Sequence, residues 1–109
     1  MVLVASVDLD GKKIIQVSGD IAYANLDDFR GGLFRSIEAA ASMVLLDMSA
    51  VKSITADGMQ VVLDMYAQYS QSHEILIINP SEAVNTLLLL TGLNNLMPIS
   101  HRSDHRGVH

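Results

Sequence analysis

The spacing of apolar and polar residues changes along this 109-residue chain, beginning with a strand-like stretch. Residues 2–8 and 13–18 alternate or run apolar, as strands do, and Asp10-Gly11 lies between them. An Asp-Gly pair between two such segments is a strong hairpin signal, because glycine accepts a positive φ angle. The pattern therefore predicts an N-terminal β-hairpin.

Three later segments carry apolar residues at steps of three and four, which places them on one face of a helix. We predict that Asn25 caps the first helix, that the second begins within residues 55–58, and that Ser81 with Glu82 opens the third. Gly92 is suited to end the third helix, since a left-handed residue commonly follows a helix. The apolar faces comprise Leu26, Phe29, Leu33, Ile37 and Ala40, then Met59, Val62, Leu63, Tyr66 and Tyr69, then Val84, Leu87, Leu88 and Thr91.

Two continuous apolar runs, residues 43–48 and 75–78, separate the helices and predict strands covered on both faces. Residues 97–100 predict a short final strand. Strands alternating with helices indicate an α/β fold, a mixed β-sheet with the hairpin at its edge and a parallel core, flanked by about three to four helices. We expect one domain over residues 1–99 and a disordered tail over residues 100–109.

Composition narrows the function of this domain. Half of the residues are apolar and 17% are charged, so the chain is expected to fold. Seven basic against twelve acidic residues give a net charge of −5, which argues against a nucleic-acid partner. The chain has no cysteine, which excludes thiol chemistry and zinc–thiolate sites. Without a membrane-length apolar run or a signal-peptide pattern, we expect a cytoplasmic protein with no membrane insertion.

Apolar content also raises the question of which leucines lie inside. Leu89, Leu90, Leu96 and Met97, near the third helix and its exit, are the apolar positions least obviously needed in a core. We assign them to ordinary core packing, with a partner-binding surface as the alternative.

Catalytic groups are hard to find in this chain. Residues 44–47 resemble a strand ending in a phosphoacceptor aspartate, but such a site needs a late lysine, and the last lysine is Lys52. His101, His105 and His109 have a metal-like helical spacing in a polar stretch that favours a solvated tail. There is no glycine-rich phosphate loop and no defensible Ser-His-Asp set. We predict a non-enzymatic protein without a cofactor or a metal.

The segment of residues 53–59 joins a buried strand to a helix, where open α/β sheets tend to bind ligands. Free backbone N–H groups at the helix start also favour an anion. The simpler interpretation, which we favour on local chemistry, is that Thr55 caps the helix and Asp57 complements its dipole.

Four stretches in this order resemble the STAS domain, the module of sulfate transporters and anti-sigma factor antagonists. The resemblance covers about residues 2–99 and implies a mixed sheet flanked by helices. The matching stretches are Gly19-Asp20-Ile21, residues 44–49 with Val51, residues 54–59, and residues 84–93.

In the antagonist branch of that family, the second helix starts with Asp-Ser-Ser-Gly-Leu or similar, and an anti-sigma factor that is also a kinase phosphorylates the first Ser. The resemblance implies that Thr55 replaces the Asp, Ala56 the acceptor Ser and Asp57 the second Ser, while Gly58-Met59 match Gly-Leu. Ala56 has no hydroxyl and cannot be phosphorylated.

Three interpretations of this departure are ranked in order. The domain is a constitutive binder, permanently in the unphosphorylated form. Alternatively, Thr55 or Ser53 serves as a displaced acceptor. Last, Asp57 imitates a phosphate, although one carboxylate carries a charge of about −1 against nearly −2 for phosphoserine.

The resemblance implies a regulatory module of bacterial partner switching that controls transcription by binding an anti-sigma factor or a related serine kinase. The alternative is a STAS subunit of a transport assembly, bound to a lipid-transporter ATPase subunit or related to an anion transporter. We expect the following residues to bind the partner: Asp20, Tyr23, Asn25, Ser53, Thr55, Ala56, Asp57, Gly58 and Met59.

Overall fold

The computed structural model describes residues 1–40 and 42–100. Over these residues, eight regular helices and strands follow one another in the predicted order, with 3₁₀ turns at Tyr23–Asn25 and Leu93–Asn95. Their bounds are β1 Val2–Leu9, β2 Lys12–Ile21, α1 Leu26–Glu38, β3 Met43–Ile54, α2 Ala56–Tyr69, β4 Glu74–Ile78, α3 Glu82–Thr91 and β5 Ile99–Ser100.

The five strands form one sheet in the order β1-β2-β3-β4-β5. β1 pairs antiparallel with β2, and each later neighbour pair is parallel. Asp10 and Gly11 have φ angles of 52° and 78°, as a two-residue hairpin turn requires. The predicted α/β fold, a mixed sheet with a hairpin edge, a parallel core and three helices, is confirmed.

Among the residues described, the hydrophobic core lies on one face of the sheet. Ile15, Leu46 and Ile77 are buried there, with Phe29 of α1 and Leu88 of α3 in the same cluster. The alternate strand positions are only half-buried, and they form an open sheet face: Ile14, Met43, Leu45, Leu76 and Ile78.

The prediction that β3 and β4 are covered on both faces is therefore wrong. Their outward positions, such as Leu45 and Leu76, are as apolar as their inward ones, so the sequence conceals the alternation. The buried core contains the inward side chains of β3 and β4 together with side chains from the helices.

β3 is longer than the apolar run that predicted it, because it continues to Ile54. Its second half pairs with the end of β2 across two register shifts, between Gln16 and Ser18 and between Gly19 and Asp20. The extension aligns Asp20 with Ser53 and Ile21 with Ile54, and this alignment brings the ends of both strands together.

Three of the four leucine and methionine positions assigned to the core lie outside it. Leu89, Leu90 and Leu96 are exposed by 59%, 78% and 60%, whereas Met97 is buried. α3 buries only Val84 and Leu88, so one narrow stripe holds the helix against the sheet. The core assignment is correct for Met97 and wrong for the three leucines.

Most of the predicted C-terminal tail lies outside the described residues. Its first residue, Ser100, belongs to β5 and is aligned with Ile78. The three regularly spaced histidines at positions 101, 105 and 109 are also outside that range. Among the described residues, no helix is long and apolar enough to span a membrane.

Candidate functional site

The carboxyl ends of β2 and β3 lie side by side and form the base of the candidate site. The Tyr23–Asn25 turn follows β2 directly, and α2 begins two residues after β3 ends. The segments that the sequence singled out, about 30 residues apart in the chain, therefore meet at one edge of the sheet.

A small hydrogen-bond network fixes the loop after β2. Ser53 Oγ donates to Asp20 Oδ1 over 2.8 Å, and Asn25 Nδ2 donates to the Asp20 carbonyl, also over 2.8 Å. The Ala22 backbone N–H donates to Asn25 Oδ1 at 2.9 Å. Asn25 occupies the predicted N-cap position of α1, but its carboxamide turns back to the loop and makes no side-chain cap bond.

Thr55 is the N-cap of α2, as predicted. Its backbone is extended, with φ −85° and ψ 166°, and its Oγ1 accepts a hydrogen bond from the Gly58 N–H at 3.1 Å. Its own N–H donates to the Ile21 carbonyl at 3.1 Å, which ties the cap to the end of β2.

Gly58 lies where α2 presses against the sheet. A Cβ atom at this position would come within 2.6 Å of Ile21 Cγ2 and 3.0 Å of Ile54 Cγ1, closer than packed atoms tolerate. Met59 is 1% exposed and belongs to the core. The structure thus removes Gly58 and Met59 from the expected contact surface, because both are buried; their role is to seat the helix.

The other predicted residues form the surface of the site. Tyr23 is 80% exposed, and Asn25 is half-buried. Ala56 is the first residue of α2 and is exposed. The remaining exposed members are Asp20, Ser53, Thr55 and Asp57.

This edge of the sheet is acidic. The exposed carboxylates Asp27 and Asp28 open α1, and Glu82 opens α3. They join Asp20 and Asp57 at this end of the sheet, and Lys52 lies near the end of β3. The sequence analysis did not assign Asp27, Asp28 or Glu82 to the site. These residues are far apart in the chain and reach the same edge of the sheet because the helices α1 and α3 both begin there.

An open groove of about 470 Å³ continues this surface toward α3. Sequence reasoning missed it, because its two walls come from segments about 30 residues apart in the chain. It is lined by Lys52, Ile54, Glu82, Ala83, Thr86 and Leu87.

The exposed groups at this edge are hydroxyls, carboxylates and one aromatic ring. Ser53 bonds to a carboxylate, and no histidine stands beside it in the described network. Among the described residues, no group of three or more His, Asp or Glu side chains could hold a metal ion.

Comparisons with known proteins agree with this fold. A family model for the STAS domain matches residues 4–105. Among solved structures, an anti-sigma factor antagonist from Mycobacterium paratuberculosis superposes with a TM-score of 0.84 at 19% identity, over 92% of this chain and 86% of that one.

Two further structures share the fold at low identity. A sulfate transporter family protein from Wolinella succinogenes gives a TM-score of 0.69 at 20% identity, over 89% of this chain and 83% of that one. An anti-sigma factor antagonist STAS domain from Rhodobacter sphaeroides gives 0.59 at 23% identity, over 70% of this chain and 84% of that one. No match was found among curated protein sequences. The family match covers nearly the whole chain, and the chain therefore belongs to the STAS domain family.

Proposed function

We propose that this STAS domain is a non-enzymatic regulatory module of bacterial partner switching. It acts in the cytoplasm like an anti-sigma factor antagonist, binds an anti-sigma factor or a related serine kinase, and stays permanently in the unphosphorylated, binding-competent form. The observation that carries the proposal is the exposed Ala56 at the first position of α2, where the antagonist pattern has its acceptor Ser.

The two hydroxyl groups that precede Ala56 in the sequence are already engaged in hydrogen bonds. Thr55 Oγ1 accepts the cap bond from Gly58, and Ser53 Oγ donates to Asp20. A phosphate on Ser53 would break its bond to Asp20 and place like charges together, which supports the constitutive binder over a displaced acceptor. Asp57 carries a single charge one residue later, so phosphate mimicry stays the weakest interpretation.

Charge and shape indicate the kind of partner surface. Five carboxylates at the carboxyl edge of the sheet favour a basic patch on the partner, and such complementarity raises the rate of association. Tyr23 offers an exposed aromatic ring beside them, and aromatic side chains often contribute most to binding energy. The groove between β3 and α3 gives this surface a concave side.

The direct experiment is a calorimetric titration of the domain against the kinase-type anti-sigma factors encoded in the same genome. We expect one of them to bind, and we expect Asp57→Lys to weaken that complex by at least about tenfold, because it reverses one charge of the acidic edge. Glu74→Lys is the matched control, since Glu74 is an exposed carboxylate at the opposite end of the parallel strands. Failure to bind any of these proteins would reject the proposal.

A role as the STAS subunit of a transport assembly is the second candidate. The exposed leucines at positions 89, 90 and 96 favour it, because lasting subunit contacts are more apolar than transient ones. An acceptor serine is dispensable for scaffolding, so Ala56 fits this role as well. Co-purification with a transporter ATPase subunit, lost in Leu90→Lys but not in Asp57→Lys, would support this candidate over signalling.

A further inference from the structure

Exposed apolar side chains concentrate on the edge strand β1. Leu3, Val7 and Leu9 are exposed by 57%, 56% and 55%, and all three lie on the open sheet face. The opposite edge strand, β5, has only two residues, which leaves little backbone for another chain to pair with. The eight residues of β1 contain no proline or lysine, the residues that commonly block an exposed edge.

The hairpin determines which backbone groups of β1 are free of β2. Residues in an antiparallel ladder alternate between hydrogen-bonded and non-bonded pairs, and a two-residue turn makes Leu9–Lys12 a bonded pair. The bond from Asp20 N–H to the Met1 carbonyl, 3.0 Å, follows the same alternation at the other end. The outward-directed N–H and C=O groups therefore belong to Val2, Val4, Ser6 and Asp8.

We infer that β1 pairs antiparallel with β1 of a second copy. The two copies are related by a two-fold axis that is perpendicular to the sheet and passes midway between the two Ala5 residues. This register places Val4 opposite Ser6 and Val2 opposite Asp8, and their outward groups form about eight backbone hydrogen bonds. A register centred on Ser6 forms only about six.

The side chains fit the same register. Leu3 of each copy lies opposite Val7 of the other, in the non-bonded pairs where side chains come closest. Ala5 meets Ala5 at the axis, where a large residue would crowd. No two like charges face each other, since the one charged residue of the strand, Asp8, lies opposite Val2. This self-complementary pattern favours a second copy over an unrelated strand.

Such a dimer joins two five-stranded sheets into one of ten strands. The axis keeps both helix layers on one side and points the two carboxyl edges in opposite directions. The proposed partner surfaces therefore stay open in both copies. A pairing of about seven residues per copy buries less than the roughly 800 Å² per partner of a standard interface, so we expect a dissociation constant of about 10 to 100 µM.

Sedimentation velocity over a concentration series tests this pairing. We expect wild-type protein to shift from monomer to dimer as its concentration rises. Ser6→Pro removes an outward N–H and keeps the β1–β2 bonds, and it should raise the dissociation constant at least about tenfold. Val7→Lys should also raise the dissociation constant, because it places a charge on the open sheet face against Leu3 of the other copy. Leu90→Lys, an equally drastic change at an exposed leucine of α3, should leave the dimer intact.

Amide hydrogen exchange gives the second measurement. Protection of the Val4 and Ser6 amides should rise with concentration, while the Ala5 and Val7 amides, bonded to β2, stay protected throughout. A wild-type protein that is monomeric throughout, or a dimer that Leu90→Lys weakens as much as Val7→Lys does, would overturn the inference. If circular dichroism shows that Ser6→Pro is unfolded, the Val7→Lys variant and the hydrogen-exchange measurement test the pairing instead.

Discussion

The starts of α2 and α3 are two versions of one helix-capping arrangement at the same edge of the sheet. Thr55 caps α2 and Ser81 caps α3, and each hydroxyl oxygen accepts from the N–H three residues later, at 3.1 and 3.3 Å. Each cap also donates its own N–H to a strand carbonyl, Thr55 to Ile21 and Ser81 to Met48.

The two helix starts differ in what surrounds the cap. The third helical residue of α2 is Gly58, which is wedged against Ile21 and Ile54, whereas α3 has Val84 there. The α2 start also lies beside the Asp20–Ser53 hydrogen bond and the Tyr23–Asn25 turn. A capping hydroxyl is therefore a structural feature of both helices, and the proposed partner site differs from the start of α3 in its close packing and its neighbouring loop.

The largest expected effect concerns Gly58. Gly58→Ala should destabilise the fold by about 1 to 3 kcal/mol, because the new methyl group overlaps Ile21 and Ile54. Gly31→Ala is the matched control in α1, where the three nearest atoms to a new methyl group belong to the flexible guanidinium of Arg35, and it should stabilise the fold by up to about 1 kcal/mol. Urea denaturation measures both. Equal effects of one sign would show that the α2 start is not specially packed.

The caps should contribute equally to stability. Thr55→Ala and Ser81→Ala each remove one cap bond and should each cost about 1 kcal/mol in the free energy of unfolding. Thr55→Asp should retain most of that stability, since aspartate is also a good N-cap. Thermal unfolding of the three variants checks this. A loss at Thr55 much greater than at Ser81 would mean that its hydroxyl does more than cap.

Ser53→Ala should separate stability from recognition. The Ser53–Asp20 hydrogen bond is exposed, so the free energy of unfolding should change by less than about 0.5 kcal/mol. Partner affinity should fall several-fold, because Asp20 loses the bond that orients its carboxylate. Ser72→Ala, which removes an exposed hydroxyl just beyond the opposite end of α2, is the control in the same titration. An unchanged affinity for Ser53→Ala would remove the Asp20–Ser53 pair from the site.

The smallest expected effect is a change in the pH dependence of stability at Tyr69, the last residue of α2, far from the proposed partner site. Burial, the 2.9 Å hydrogen bond that Tyr69 donates to Glu38, and the Glu38 charge raise the pKa of the Tyr69 phenol. A raised pKa stabilises the fold below about pH 10 and loses that contribution as the pH rises through the folded value. Wild-type stability should therefore fall slightly more steeply above pH 10 than that of Tyr69→Phe, in urea denaturation across that range. A steeper fall for the variant would contradict this assignment.

Local chemistry made the caps and the hairpin predictable. Asp10-Gly11, Thr55, Ser81 and Gly92 each act within a few residues of their own position, so their residue types sufficed. The STAS pattern likewise located the α2 start from a short run of sequence.

Features that depend on contacts between distant parts of the chain could not be predicted from the sequence. The second half of β3 contains small and polar residues and is a strand because it pairs with β2. The side chain of Asn25 is placed by the loop that it shares with Asp20. The open sheet face could not be predicted because the outward positions of β3 and β4 are as apolar as the buried ones.

The most direct test of the central claim compares the wild-type domain with Ala56→Ser in the presence of ATP and the kinase-type anti-sigma factor that binds it. The proposal predicts that the wild-type mass stays unchanged and its complex persists, while Ala56→Ser gains one phosphate at residue 56 and dissociates. A phosphate on wild-type Thr55 or Ser53, with loss of the complex, would contradict the account.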